Sequence, residues 1–133
     1  MPNVETITKN GKIIAIVVRK NGSKNPLDFI TPDDFPLQVG VHNKKRGDVA
    51  KPHEHKPFVG LNIPCQEFFY IKKGKVNVSL YDEGEKCDEV VISEGEFVVL
   101  NCGHGVDFLD DTELIEVKQG PYRGKAGEKS FLG

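Results

Sequence analysis

Two histidines stand close together in a chain that contains few of them. His53 and His55 lie in the segment GDVAKPHEHKP (47–57), and the whole sequence has four histidines. On a β-strand, residues two apart project to the same side, so both imidazoles would enter one space. Two imidazole nitrogens on one face can begin a metal site, and Pro52 and Pro57 would stiffen the backbone that presents them. The alternative is a pair of exposed histidines on a polar loop, because H-x-H is a short pattern.

The residues around this pair resemble the first motif of the cupin superfamily, G-x5-H-x-H-x(3,4)-E-x6-G. Gly47, His53, His55, Glu67 and Gly74 follow that order. The segment between His55 and Glu67, KPFVGLNIPCQ, is longer than in the family. It is consistent with a longer hairpin loop, because surface loops tolerate insertions at little entropic cost.

Strand alternation supports the assignment of Glu67 as the acidic ligand. Glu67, Phe69 and Ile71 fall on one face of the predicted strand EFFYIKKG (67–74). A carboxylate that shares a face with Phe and Ile is costly to bury unless a metal or a charged partner compensates.

The second cupin motif, G-x5-P-x-G-x2-H-x3-N, matches in part. Gly95 and Gly103 fit, but Asn101 replaces the proline and Val106 replaces the histidine, while His104 directly follows the glycine. Either the site has two histidines and Glu67, or His104 completes it. We expect His104 to be a ligand, because the flanking glycines, 103 and 105, allow unusual backbone angles that could aim its side chain inward.

The resemblance implies an all-β fold, a cupin-type double-stranded β-helix (jelly-roll) barrel. It would form one domain over 1–133, with the metal-site motifs at 47–74 and 95–107. The segment from Gly47 to Gln119, which runs into IEVKQGPY, also resembles a subgroup of small single-domain cupins. That subgroup is often found beside surface-polysaccharide genes, which suggests sugar chemistry.

The implied ligand set is His53, His55, Glu67 and His104, which would bind a divalent transition metal: Fe, Mn, Ni, Co or Zn. Affinity order alone does not choose among these metals. Open coordination positions would allow catalysis by an isomerase or epimerase, a lyase or a dioxygenase.

The last predicted strand offers groups for proton transfer. Glu116 and Lys118 share a face, and Tyr122 follows; inward-facing, they would act as a base and a carboxylate-binding or electrophilic group. The alternative is a surface ion pair. Cys65 and Cys102 would either line the pocket, replace a ligand or be packed thiols.

Other polar residues have a weaker functional interpretation. His42 has no partner at ligand spacing, so we expect a structural or exposed residue. The basic segment NKKRG (43–47) and the tail residues Arg123, Lys125 and Lys129 are either solvated or bind a phosphate. An odd number of cysteines, three, predicts reduced thiols rather than a disulfide framework.

Short apolar runs between frequent turn residues must position these groups. The sequence has 14 glycines and 8 prolines, and the runs between them are rich in Val, Ile, Phe and Tyr, which favours an all-β sandwich or barrel. An Asn21-Gly22 turn should close the first strand, and Thr31 should cap a short helical turn within 31–40. Strands are predicted at 12–20, 67–74, 75–82, 88–93, 96–101 and 113–119.

Composition limits the classes of partner. The formal net charge is -2, so no nucleic-acid footprint is expected, and the run IIAIVV (13–18) is too short to span a membrane. We expect a cytoplasmic homodimer that pairs through strand 12–20. Three functions compete: a metal-dependent enzyme acting on a small polar molecule such as a sugar or sugar derivative, a non-catalytic ligand-binding barrel, and a structural protein with a degenerate site.

Overall fold

The fold consists of short β-strands. The computed structural model describes residues 3–20, 25–43, 46–49, 51–53 and 64–119, and within these ranges there is no helix. No described segment is therefore a helix long and apolar enough to cross a membrane. The strands are β1 (Asn3–Lys9), β2 (Lys12–Arg19), β3 (Leu27–Phe29), β4 (Gly40–His42), β5 (Glu67–Lys73), β6 (Lys75–Asp82), β7 (Glu85–Ser93), β8 (Phe97–Leu100), β9 (Gly103–Phe108) and β10 (Glu113–Lys118).

The strands form three antiparallel sheets. The largest has the order β1-β2-β8-β5-β10, the second has the order β7-β6-β9, and β3 pairs with β4. Among the described residues no sheet closes into a barrel. The all-β class is therefore confirmed.

The main core lies between the five-stranded and three-stranded sheets. Val76, Val78 and Leu80 of β6 are fully buried, as the alternation of that strand predicts. They belong to one cluster with Ile71 and Leu100 from the facing sheet. Burial of one such aliphatic side chain contributes roughly 1.5–3 kcal/mol, so this layer supplies much of the stability.

Strand β2 is buried on both faces. Ile14 and Val17 join the main core, whereas Ile16 and Val18 pack on the outer face against the segment around Ile30. Neighbours β1 and β8 occupy both of its backbone edges. The prediction that strand 12–20 pairs with another subunit is therefore wrong, because that strand has no open edge; the homodimer itself stays a prediction.

The helical turn expected within 31–40 does not form. Thr31 is buried, and its hydroxyl accepts a hydrogen bond from the Val39 amide at 3.1 Å, while the Ile30 amide donates to the Val39 carbonyl at 3.0 Å. These bonds join the two ends of the segment in a closed loop. Thr31 thus serves as a loop clamp instead of a helix cap.

Two turns depend on residues in the left-handed region. Asn10 and Gly11, with φ of 51° and 75°, join β1 to β2, as expected for a two-residue hairpin. Gly74 joins β5 to β6 with φ of 98°, and a Cβ there would lie 2.8 Å from the Thr112 Cα. Only glycine fits that position without strain. The predicted Asn21-Gly22 turn lies outside the described residues.

Candidate functional site

Glu67 and His104 approach each other from facing sheets. Glu67 begins β5 opposite Leu100, and His104 lies on β9 opposite Leu80. Both partners belong to the main core, so both polar side chains face the space between the sheets. His104 Nε2 lies 3.1 Å from Glu67 Oε2, and the side chains are 21% and 17% exposed.

Strand alternation directs His104 inward. Neither Gly103 nor Gly105 has a positive φ, and β9 is extended through both. His104 and Val106 pair with Leu80 and Val78 of the buried β6 face. The expectation that unusual glycine angles aim the histidine is therefore wrong, because ordinary extended geometry is sufficient.

The backbone fixes the orientation of the His104 ring. Nδ1 lies 3.1 Å from the Cys102 carbonyl oxygen, and the Phe69 ring meets the imidazole edge-on with centroids 5.6 Å apart. In a neutral imidazole, an Nδ1–H that donates to this carbonyl leaves the Nε2 lone pair directed at Glu67. A metal-binding histidine usually has this arrangement, with its second ring nitrogen held by a carbonyl or carboxylate.

Among the described residues, the Glu67 oxygen at this contact lacks the hydrogen bond that a buried carboxylate oxygen normally accepts. Oε2 is buried and has no well-formed hydrogen bond to the residues that the structure describes. Two lone pairs 3.1 Å apart repel unless a proton or a cation lies between them. The site therefore needs a positive charge at this point.

Without a metal, a proton supplies that charge. The interaction with His104 lowers the pKa of Glu67 against the opposing effect of burial, and Glu116 and Lys118 lower it further. The same interaction raises the pKa of His104, again against burial. The two groups thus favour an imidazolium–carboxylate pair.

Strand β10 brings Glu116 and Lys118 to the same space. Lys118 is the cross-strand partner of Glu67, and Glu116 is the partner of the buried Phe69. Cross-strand partners project to one face of a sheet. Lys118 is half-buried and Glu116 is exposed, and both act on the Glu67 carboxylate. Tyr122 lies outside the described residues.

The other predicted ligands do not join this pair within the described ranges. His53 is exposed, with Nδ1 2.7 Å from the Lys51 carbonyl oxygen, and His55 lies outside the described residues. Within 3–20, 25–43, 46–49, 51–53 and 64–119, no three His, Cys, Asp or Glu side chains are grouped to hold a metal ion. His42 ends β4, paired with Leu27.

The three cysteines are free thiols that differ in burial. Burial raises the pKa of Cys102 to about 11 against a backbone hydrogen bond at Tyr81. Its thiol is therefore protonated at neutral pH in the metal-free protein. Cys65 is exposed and Cys87 is half-buried; all three cysteines are free.

Three amides behind the site are absent from the sequence-based predictions. Gln66 is 1% exposed; its side chain donates to Asn101 Oδ1 at 3.0 Å and accepts from the Leu37 amide at 3.0 Å. Gln119 accepts a hydrogen bond from the Gln66 backbone amide. We call Gln66, Asn101 and Gln119 the amide relay. Nothing in the sequence distinguishes these amides from exposed ones, because their partners are distant in the chain.

Comparisons with family models, with curated proteins and with solved structures found no match. The geometry of the site alone indicates what it can do. A nitrogen and an oxygen suited to a metal, a second carboxylate and an ammonium group face one space between the sheets.

Proposed function

We propose that the protein is a metal-binding cupin in which His53, His55, Glu67 and His104 hold one divalent transition metal. The contact between Glu67 and His104 carries the proposal. Two ligand atoms at right angles on an ion, each about 2.1 Å from it, would be about 3.0 Å apart. The observed separation of Nε2 and Oε2 is 3.1 Å, and the oxygen is buried without a well-formed hydrogen bond.

The order of the strands supports a jelly roll. In that fold of eight strands, one sheet places the eighth strand beside the third and the third beside the sixth. The other sheet places the seventh beside the fourth and the fourth beside the fifth. If β5 is the third strand, β10-β5-β8 and β9-β6-β7 follow these two orders.

The jelly-roll strand order also indicates where the segment that carries His53 and His55 would lie. A jelly roll needs its second strand beside the seventh, which is β9 and carries His104. Within the described residues β9 has a neighbour on one side only, and Phe108 at its end is 63% exposed although it shares the face of His104. His53 and His55 precede β5 in the chain, as the second strand precedes the third. The proposal therefore brings them to the open edge of β9.

We further propose that the bound metal serves an enzyme acting on a small polar substrate, such as a sugar or sugar derivative. A metal of the class Fe, Mn, Ni, Co or Zn would supply Lewis-acid or redox chemistry at its open positions. Glu116 lies on the inward face of β10 and can hold or move a proton beside these positions. An isomerase or epimerase, a lyase or a dioxygenase would each use such a group.

Metal content measured by elemental analysis tests the proposal. The protein is purified without a metal-binding tag, stripped, reloaded with each of the five metals and desalted. We expect about one metal per chain in the wild type and in the control His42→Ala, and a loss in His53→Ala and His104→Ala. A wild type that binds none of the metals, or a His104→Ala variant with full metal content, would contradict the proposal.

A further inference from the structure

The amide relay joins the backbone beside Glu67 to the backbone beside His104. Gln66 directly precedes Glu67, and its side chain donates to Asn101 Oδ1 at 3.0 Å. Asn101 directly precedes Cys102, whose carbonyl oxygen lies 3.1 Å from His104 Nδ1. The contact between His104 Nε2 and Glu67 Oε2 closes these links into a ring. Such a ring limits how far the two side chains of the proposed site can move apart.

Both amides of this link are anchored to the surrounding structure. Asn101 donates from Nδ2 to the Ile13 carbonyl at 3.1 Å and from its backbone amide to the Ile14 carbonyl at 3.0 Å. Gln66 is 1% exposed, and its Oε1 accepts the Leu37 amide at 3.0 Å. A buried polar network whose members are bonded in this way is rigid. The relay therefore fixes the residues that directly follow its two amides.

The relay lies on the opposite face of the five-stranded sheet from the proposed site. Glu67 is paired with Leu100, which belongs to the main core between the sheets. Gln66 instead bonds to Leu37, in the segment that packs on the outer face through Phe35. Successive residues of a strand point to opposite faces, which accounts for this arrangement. The relay would therefore act on a metal between the sheets through the positions of its ligands and not by direct contact.

We propose that Gln66 and Asn101 are positioning residues of the metal site, which hold Glu67 and His104 at ligand separation before the metal binds. This inference rests on the proposed function. A site that is held in advance binds more tightly, because less ordering is required on binding. Partners that orient metal ligands usually contribute about 10–100-fold in metal affinity.

The dissociation constant of cobalt(II) provides the test, measured against a competing chelator and followed by visible absorption. The variants are Gln66→Met, Asn101→Ala and the double variant. We expect each single variant to raise the dissociation constant about tenfold and to shift the absorption bands of the bound cobalt, because the ligands are held less closely. The double variant should resemble the single variants instead of losing about a hundredfold, because each change removes the same link.

Arg19→Met is the control for a loss of stability without a change at the relay. Arg19 bonds to Glu5, Glu96 and the Val91 carbonyl, so its replacement should lower the stability of the fold. The cobalt dissociation constant should stay within about twofold of the wild type, as expected for distant and independent positions. A tenfold loss in this control as well would overturn the inference, because general destabilisation would then explain the relay variants.

The other outcomes separate the inference from the proposed function. Wild-type cobalt affinity and spectrum in Gln66→Met and Asn101→Ala would overturn the inference and leave the proposed function intact. A wild type that binds no cobalt would overturn both. If Gln66→Met fails to fold, Asn101→Asp is compared with Asn101→Ala. The aspartate keeps an oxygen that accepts from Gln66, so its cobalt affinity should stay within about threefold of the wild type, and equal losses in both variants would overturn the inference.

Discussion

Two ion pairs lie near opposite edges of the three-stranded sheet, and they differ in how completely their carboxylates are satisfied: Arg19 pairs with Glu96 within the five-stranded sheet, whereas Glu67 and His104 pair across the two facing sheets. At the β7 edge, Arg19 donates to Glu96 at 2.9 Å, to Glu5 at 3.1 Å and to the Val91 carbonyl at 2.8 Å. We call these contacts the Arg19 clasp. At the β9 edge, Glu67 meets His104, and its buried Oε2 has no well-formed hydrogen bond to a described residue.

We infer from this difference that the Arg19–Glu96 pair is structural and that Glu67 and His104 belong to the proposed site. The Glu96 oxygen bound by Arg19 also accepts the Ser93 amide at 2.8 Å, so that carboxylate is satisfied by the protein itself. Buried polar groups are nearly always satisfied in this way, and an exception requires an explanation. For Glu67 the explanation that we propose is the bound metal, whose positive charge the His104 imidazolium replaces in the metal-free protein.

The amide relay contrasts with Glu67, because it lies beside that residue and its side-chain amides all have hydrogen-bond partners. Replacing Gln66 with Leu would leave the Leu37 amide and Asn101 Oδ1 without partners. Each unsatisfied buried group costs about 1–3 kcal/mol, so we expect a loss of about 3 kcal/mol in the free energy of unfolding. Urea denaturation measures it. Asn3→Leu, at an exposed amide of β1, is the control; an equal loss in both variants would contradict the prediction.

The second largest loss of unfolding free energy is expected at the Arg19 clasp. Arg19→Met removes the partner of Glu96, whose side chain is 15% exposed, and should cost about 2 kcal/mol of unfolding free energy. Metal content should be unchanged, because the clasp lies at the other edge. The control is Lys72→Met, which removes a surface pair with Glu113 and should cost less than about 0.5 kcal/mol. Equal losses in these two variants would show that the clasp adds nothing.

The two ion pairs should also differ in how their contribution to stability depends on pH, and this effect is smaller. The raised pKa of His104 means that its stabilisation of the metal-free protein is complete below the usual 6.5 and is lost as pH rises through the raised value. The lowered pKa of Glu67 means that its contribution is present above the usual 4.5 and is lost as pH falls through the lowered value. The pair therefore stabilises most between these limits.

We expect His104→Gln to cost about 1 kcal/mol near pH 5.5 and clearly less near pH 9, from unfolding curves of metal-free protein. The cost of Arg19→Met should stay constant over this range, because the guanidinium remains charged. A cost of His104→Gln that increases with pH would contradict the assigned direction of the pKa shift.

The sequence predicts most of the central strands. Alternation locates β6 and the buried face of β5, and apolar runs locate β2 and β8. β1 was not predicted because it is mostly exposed and polar, although the Asn10-Gly11 turn after it carries the signal that we assigned to Asn21-Gly22. The loop clamp at Thr31 depends on Val39, so its local resemblance to a helix cap was misleading.

The site was predictable only in part. Glu67 follows from its motif and from the parity of β5. His104 stands two positions before the histidine position of the second motif, and only the folded chain brings it within 3.1 Å of Glu67. The sequence predicts no strand over Gly103–Phe108, where the structure has β9. The amide relay joins residues 35 and 53 positions apart, and no local pattern encodes such contacts.

The stability of Glu67→Gln, with and without metal, tests the central claim most directly. Thermal unfolding of stripped and zinc-loaded protein is measured for the wild type and this variant. A metal held by Glu67 predicts that the variant loses no more than about 1 kcal/mol of unfolding free energy when stripped, and that zinc raises the melting temperature of the wild type but not of the variant. A large loss in stripped protein, with the zinc effect retained, would contradict it and make Glu67 a structural residue like Glu96.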